Sequence, residues 1–144
     1  MKFLLDASAM LPVVMKGGRK LIANAAQTDL VTTDLAVYEA CNGLWKLVVL
    51  TKSMSSQNAQ ETISLMNELI SKNLIKTINF AMLDLTFSFN LAQTNHITFY
   101  DATCITAAQR ANSVLVTEDK KLFKIASNHV KTMQVAELEK EFER

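Results

Sequence analysis

Short apolar runs alternate along the whole chain with longer stretches of helical spacing, and this alternation restricts the fold more than any other feature. The runs lie at Lys2–Leu5, Leu30–Thr32, Leu74–Ile78, Val114–Val116 and Val130–Gln134. Strands separated by helices define an α/β domain built on a parallel sheet. The spacing predicts a first helix after Ser8 that stops at Gly17-Gly18, where glycine accepts the left-handed conformation of a C-terminal cap. Pro12 sits early enough for a first turn. A second helix is expected from about Arg19 to Gln27, a third from a cap at Asp34 to about Leu50, and a fourth from Ser55 or Ser56 to about Lys72. Others are expected over Met82–Thr94, Phe99–Ala111, Glu118–Ser127 and Val135–Phe142. No repeat, low-complexity tract or linker rich in Gly, Ser or Pro divides the chain, so residues 1–144 read as one domain. A domain of 144 residues can bury about 68–70% of its unfolded surface.

Composition mainly excludes. Three glycines, Gly17, Gly18 and Gly43, cannot build a Walker-type phosphate loop, a dinucleotide-binding turn or the nucleophile elbow of serine hydrolases. Cys41 and Cys104 are too few for a disulfide scaffold or a four-thiolate zinc site, and are expected as small buried hydrophobes in reduced form. His96 and His129 have no partner at zinc-like spacing. No apolar stretch approaches the ~20 residues of a membrane span. Met1-Lys2-Phe3-Leu4-Leu5-Asp6 meets a carboxylate before a signal-peptide core can form, so a soluble, cytoplasmic protein is the expectation. The 15 basic and 14 acidic residues nearly balance, a ratio that permits contact with phosphates without arguing for it.

The informative residues are acids placed among apolar neighbours. Asp6 ends the first strand directly after Phe3-Leu4-Leu5, at the carboxyl edge where open α/β sheets bind ligands. It is equally suited to capping the next helix. On the helix from Asp34, the residues Leu35, Tyr38, Cys41, Leu44, Trp45 and Val48 form an apolar row. Glu39, Asn42, Gly43 and Lys46 form a second stripe that suits either a site or a solvated face. Asp101 has Cys104, Ile105 and Ala108 as its i+3, i+4 and i+7 neighbours. Its carboxylate therefore needs a cation, a set of donors or the positive end of a helix. Val114-Leu115-Val116-Thr117-Glu118-Asp119 repeats the design around Asp6, an apolar strand followed by acids; Thr117 also reads as a helix cap with Glu118 and Asp119 in the first turn. Carboxylates gathered at one sheet edge repel one another unless neutralised, and the hard cations Mg²⁺ and Mn²⁺ prefer such oxygen ligands.

Four segments, Leu5-Asp6-Ala7-Ser8-Ala9, Tyr38-Glu39-Ala40-Cys41-Asn42-Gly43-Leu44-Trp45, Tyr100-Asp101-Ala102 and Leu115-Val116-Thr117-Glu118-Asp119-Lys120-Lys121-Leu122, follow in order across essentially the whole chain. In these the sequence resembles the PIN-domain family, in particular the small VapC-type toxins of toxin–antitoxin pairs. The resemblance implies a three-layer α/β/α sandwich with a central parallel sheet, and a metal-dependent endonuclease acting on RNA. It implies that Asp6, Glu39, Asp101 and Asp119 are the catalytic acids and hold Mg²⁺ or Mn²⁺. Ser8, Asn42 and Thr117 would give polar support, with Glu118 as an understudy to Asp119. It further implies a homodimer and a small VapB-type antitoxin whose tail covers the site.

Lys120, Lys121 and Lys124 follow Asp119, and Lys16, Arg19 and Lys20 follow the first expected helix. Either group could hold RNA backbone beside the site or form a solvated helix face. Nothing in the sequence resembles an RNA-reading module with aromatics interleaved among basic residues. Two other readings keep the fold: a processing or decay nuclease without an antitoxin, and an inactive PIN-like adaptor or dimerisation module. The presence of all four acids argues against the inactive module.

Overall fold

In the computed structural model, which describes residues 1–24 and 27–143, Lys2–Leu5 forms strand β1 at the centre of a five-stranded parallel sheet. β2 (Asp29–Thr33) and β3 (Ile75–Ile78) extend it on one side, β4 (Val114–Val116) and β5 (Thr132–Met133) on the other, in the order β3-β2-β1-β4-β5. Leu5 stands opposite Thr32 of β2 and Val116 of β4, so β1 is paired along both edges. A strand paired on both edges and covered on both faces has to be apolar throughout, and Phe3, Leu4 and Leu5 are all buried. The expected strands are present. β5 is shorter than the run Val130–Gln134 because β4 offers it only Leu115 and Val116 to pair with.

Side-chain alternation along β1 divides the core into two layers. Phe3 and Leu5 gather with Met10 and Val13 of α1 (Ala7–Ala23), Ala40 of α2 (Asp34–Trp45), Leu69 of α3 (Ser56–Ser71) and Leu138 of α7 (Val135–Phe142). Leu4 gathers with Leu91 of α4 (Leu85–Asn95), Ile105 of α5 (Phe99–Ala111) and Leu122 of α6 (Lys120–Ala126). The result is the three-layer sandwich. Both cysteines are free; Cys104 is buried and Cys41 half-buried. Among the described residues no helix is long and apolar enough to cross a membrane.

Several local expectations are corrected. α1 runs straight through Gly17-Gly18, and neither glycine has a positive φ. A Cβ on Gly18 would stand 2.4 Å from Leu65 Cδ2, so glycine is there to let α1 approach α3 rather than to stop a helix. The separate helix expected over Arg19–Gln27 is instead the last turn of α1 with Asn24 as its C-cap; residues 25–26 of that span lie outside the described residues. Pro12 falls in the second turn of α1. The hydroxyl of Thr33, not the Asp34 carboxylate, caps α2 by accepting from Ala36 N–H at 3.0 Å. Asp34 accepts instead from the N–H groups of Leu35 and Phe80.

α2 ends at Trp45 and the chain continues to Leu50 as a π-helical turn. Its buried row is Ala36, Ala40 and Leu44, whereas Tyr38 and Trp45, expected on the apolar face, are 75% and 50% exposed. The helix expected from Met82 begins at Leu85, after a 3₁₀ turn at Phe80–Met82, because Asp84 caps it. The helix expected over Glu118–Ser127 begins at Lys120, capped by Asp119 and not by Thr117. α3 with its Ser55 cap, α5 and α7 lie where expected.

Candidate active site

The chain builds outward from β1 through β2 to β3 and then crosses to β4 on the other side. Where strand order reverses, a crevice opens beyond the carboxyl ends of the two strands concerned. Asp6 leaves β1 there, and Thr117, Glu118 and Asp119 leave β4.

Asp6 caps α1 and also stands at the carboxyl edge of the sheet, so the two sequence readings do not compete. Its Oδ1 accepts from Ala9 N–H at 2.9 Å and from the Ser8 hydroxyl at 2.7 Å. Its Oδ2 accepts a short hydrogen bond from the Thr117 hydroxyl. Ser8 Oγ and Thr117 Oγ1 lie 3.2 Å apart, and Ser8 Oγ also accepts from Glu118 N–H at 2.9 Å. Thr117 is fully buried, and its hydroxyl accepts from Asp119 N–H at 3.1 Å. The two hydroxyls therefore tie the end of β1 to the end of β4. Asp119 is exposed and caps α6, with Oδ1 accepting from Leu122 N–H at 2.8 Å. The Glu118 carboxylate turns away and accepts from Val135 N–H at 2.6 Å, at the start of α7, so Glu118 serves the site through its backbone alone.

α2 and α5 supply the other two acids. Asp101 lies in the first turn of α5, where the Thr98 hydroxyl accepts from its N–H at 3.1 Å. Glu39 lines a cavity of about 440 Å³ with Asn42, Gly43 and Lys46, the stripe read from the sequence, together with Leu35, Tyr38 and Tyr100.

Electrostatics show that these acids feel one another. Burial raises the Asp6 carboxyl above the ordinary 3.8; the Thr117, Ser8 and Ala9 donors pull it back and the charge of Asp119 pushes it further up. Glu39 lies on the open side of α2, yet partial desolvation of its carboxyl in the cleft raises it, with Asp101 and Asp6 adding to the effect. Asp101 is raised by partial burial, then by Asp119 and Asp6, against the opposing pull of Thr98 and Lys121. Beneath them burial lifts the Cys104 thiol well above its ordinary range, and Asp6, Asp101 and Glu39 lift it further.

None of the four acids forms an ion pair among the described residues; the pairs Lys72–Glu68 at 2.6 Å and Lys76–Asp29 at 3.3 Å lie elsewhere. As placed, no three His, Cys, Asp or Glu side chains among the described residues converge closely enough to hold a metal ion ready-made. The chemistry of the donor set nevertheless fits a hard divalent cation: carboxylate oxygens only, mutually repelling, at an open crevice.

Of the six basic candidates, Lys121 is the one whose charge reaches Asp101. Lys120 and Lys124 are exposed on α6. Lys16 and Lys20 line a different cavity with Asn24, Glu139, Phe142 and Glu143, and Lys16 is ten residues along α1 from Asp6, about 15 Å at 1.5 Å per residue. Arg19 is exposed on the same helix. The sequence reading overlooked Thr98 and the tyrosines beside the acids. The available signal was the repeated tyrosine–acid–alanine triplet at Tyr38-Glu39-Ala40 and Tyr100-Asp101-Ala102.

Fold and crevice together define an α/β/α domain with an acidic site at its topological switch point. A sequence model of the PIN domain family matches residues 3–128, and the chain belongs to that family, whose members are generally nucleases. Among solved structures, PAE2754 from Pyrobaculum aerophilum superposes with a TM-score of 0.77 at 24% identity, over 99% of this chain and 90% of that one. VapBC-1 from nontypeable Haemophilus influenzae gives 0.61 at 17% identity, over 94% of this chain and 99% of that one. VapBC2 from Rickettsia felis, bound to a DNA fragment from their promoter, gives 0.63 at 17% identity, over 93% and 98%. These likenesses establish the fold. Comparison with curated proteins returns no match.

Proposed function

We infer that the protein is a divalent-metal-dependent endoribonuclease, the toxin of a VapBC-type toxin–antitoxin pair, and that it acts in the cytoplasm as a homodimer of single-domain subunits. The observation that carries this reading is the set of four carboxylates, Asp6, Glu39, Asp101 and Asp119, at one crevice, three of them raised by burial and mutual repulsion. Bound Mg²⁺ or Mn²⁺ would supply a water of lowered pKa and a counter-charge for the attacked phosphate.

The chain's own residues do the rest. Asp6 is held by three donors and would be the most fixed of the oxygen ligands. Glu39 and Asp101 approach from two different helices, and Asp119 joins them from the cap of α6. Engagement of the Glu118 carboxylate by Val135 supports Asp119 as the fourth acid. Contact with backbone phosphates is supported for Lys121, whose charge reaches Asp101, and for Lys46, which shares a cavity with Glu39. Exposed Phe87 and Phe89 on α4 support burial against a second copy. The likeness to two VapBC assemblies supports a small antitoxin partner.

The purified chain should cleave single-stranded RNA with Mg²⁺ or Mn²⁺ and stop when chelator is added, with Asp6→Asn and Asp101→Asn inactive. Expression should arrest growth, and Asp6→Asn should relieve the arrest. Full activity in either variant would overturn the site assignment. Cleavage without growth arrest would favour a processing nuclease.

A further inference from the structure

Next to the acids lies a cavity that hydrolysis itself does not need. Tyr38 and Tyr100 each stand one residue before a candidate acid, and the two residues are 75% and 56% exposed. With Phe80, Leu83, Leu85 and Phe99 they line a mostly apolar cavity of about 360 Å³. Leu35, Tyr38 and Tyr100 are also walls of the cavity that holds Glu39, Asn42 and Lys46. The two hollows therefore adjoin across these three side chains, one aromatic and the other carrying an acid and a lysine.

Resting on the nuclease reading, we propose that the aromatic hollow is a stacking subsite for one unpaired base of the RNA strand, with Tyr38 and Tyr100 as its stacking faces. The adjoining phosphate then falls toward Glu39 and Lys46 in the neighbouring hollow. Three observations favour RNA over a protein segment as the occupant. The volume is at the small end of ligand pockets, the size for a single ring system and not for a helix. The cavity shares three walls with the hollow that holds Glu39, and that neighbour carries the cation that a backbone phosphate requires. Because every base has a π-face, such a subsite selects unpaired strands without reading sequence.

The test uses the full chain carrying Asp6→Asn, so that RNA is bound and not cut, with a fluorescently labelled single-stranded RNA decamer in Mg²⁺. Adding Tyr38→Ala or Tyr100→Ala should weaken binding about tenfold, the order that loss of one stacked base produces. Tyr→Phe at either position should restore it. Decamers with an abasic nucleotide at successive positions should show the same loss at one position, and on that decamer the Tyr→Ala changes should have no further effect. The proposal is overturned if the alanine variants bind every decamer as their parent does. A concurrent shift to a smaller species in sedimentation would then assign the face to contact between copies. Cleavage by the unsubstituted chain is scored separately. Cleavage together with unchanged affinity in the alanine variants refutes the stacking subsite alone, whereas an unsubstituted chain that cleaves no RNA, with a parent that binds none, refutes the nuclease reading as well.

Discussion

Replacing Asp6 by Asn should make the metal-free chain more stable while abolishing cleavage. Asp6 is 5% exposed, and the desolvation of its carboxylate outweighs the three hydrogen bonds that favour the charge. Asparagine preserves the shape. Its Oδ1 still accepts from Ser8 and Ala9, and the amide nitrogen in place of Oδ2 donates to the Thr117 hydroxyl, whose proton can turn to Ser8 Oγ 3.2 Å away. The buried charge is removed and no buried partner is orphaned. Because the folded carboxyl binds its proton more tightly than the ordinary value of 3.8, folding takes up protons in the interval above 3.8. The stabilisation from this group is complete below 3.8 and lost as pH rises through the folded value, so the charged wild type carries the whole penalty at neutral pH. One pKa unit is worth about 1.4 kcal/mol. A gain is therefore expected, and each ~1 kcal/mol of it would raise the unfolding midpoint by about 3 °C in a domain of this size. Thermal unfolding with chelator present, at about pH 7.5 and about pH 3.5, measures it, the gain appearing at the first and vanishing at the second. An Asp6→Asn chain no more stable at neutral pH, or equally favoured at both, would refute the account of a desolvated charge at the strand end.

Metal should act in the opposite sense. At neutral pH, Mg²⁺ at about a hundred times its dissociation constant should stabilise the chain by about 2.7 kcal/mol. That stabilisation should fade as pH falls through the raised values of Asp6, Glu39 and Asp101, because protons compete for the same oxygens; a pH-independent metal effect would place the ion elsewhere. Lys121→Ala should reduce the salt dependence of RNA binding by about one counterion, and Lys16→Ala with Lys20→Ala should leave it nearly unchanged, as affinities across a salt series would show. Gly18→Val should destabilise by about 1–3 kcal/mol through overpacking against Leu65, and Leu65→Ala in the same chain should recover part of the loss in denaturant unfolding.

Much of this was legible in the chain because local chemistry and tertiary role agree. Phe99–Ala111 and Val135–Phe142 begin and end where their spacing predicts, since Thr98 caps the first locally and a capping box between Gln134 and Glu137 starts the second. Asp6 was legible for a similar reason: a carboxylate after three buried apolar residues lies at a strand end whichever neighbours the strand acquires. Other features depend on partners far away in sequence. Gly17-Gly18 has the composition of a helix stop, and only the approach of Leu65 turns it into a continuation. Thr117 has the composition of a helix cap, but its hydroxyl is taken by Asp6, which leaves the cap of α6 to Asp119.

Sequence alone determined the alternating α/β architecture and singled out Asp6, Glu39, Asp101 and Asp119 as candidate acids with oxygen donors only, because periodicity, strand ends and side-chain chemistry are properties of neighbours in the chain. Tertiary structure decided which strands flank β1, and therefore that Asp6 and Asp119 meet at one crevice. It decided that Glu118 is spent on α7 while Lys121, and not Lys16 or Lys20, attends the acids. It also left Tyr38 outside the core, although its helical row suggested burial. α2 packs inward through Ala36, Ala40 and Leu44, small enough at two of three positions to bring the helix close, and this rotation turns the tyrosine toward the cleft. Helical periodicity defines a stripe, but which stripe faces inward is settled by the volumes of the side chains it meets across the core.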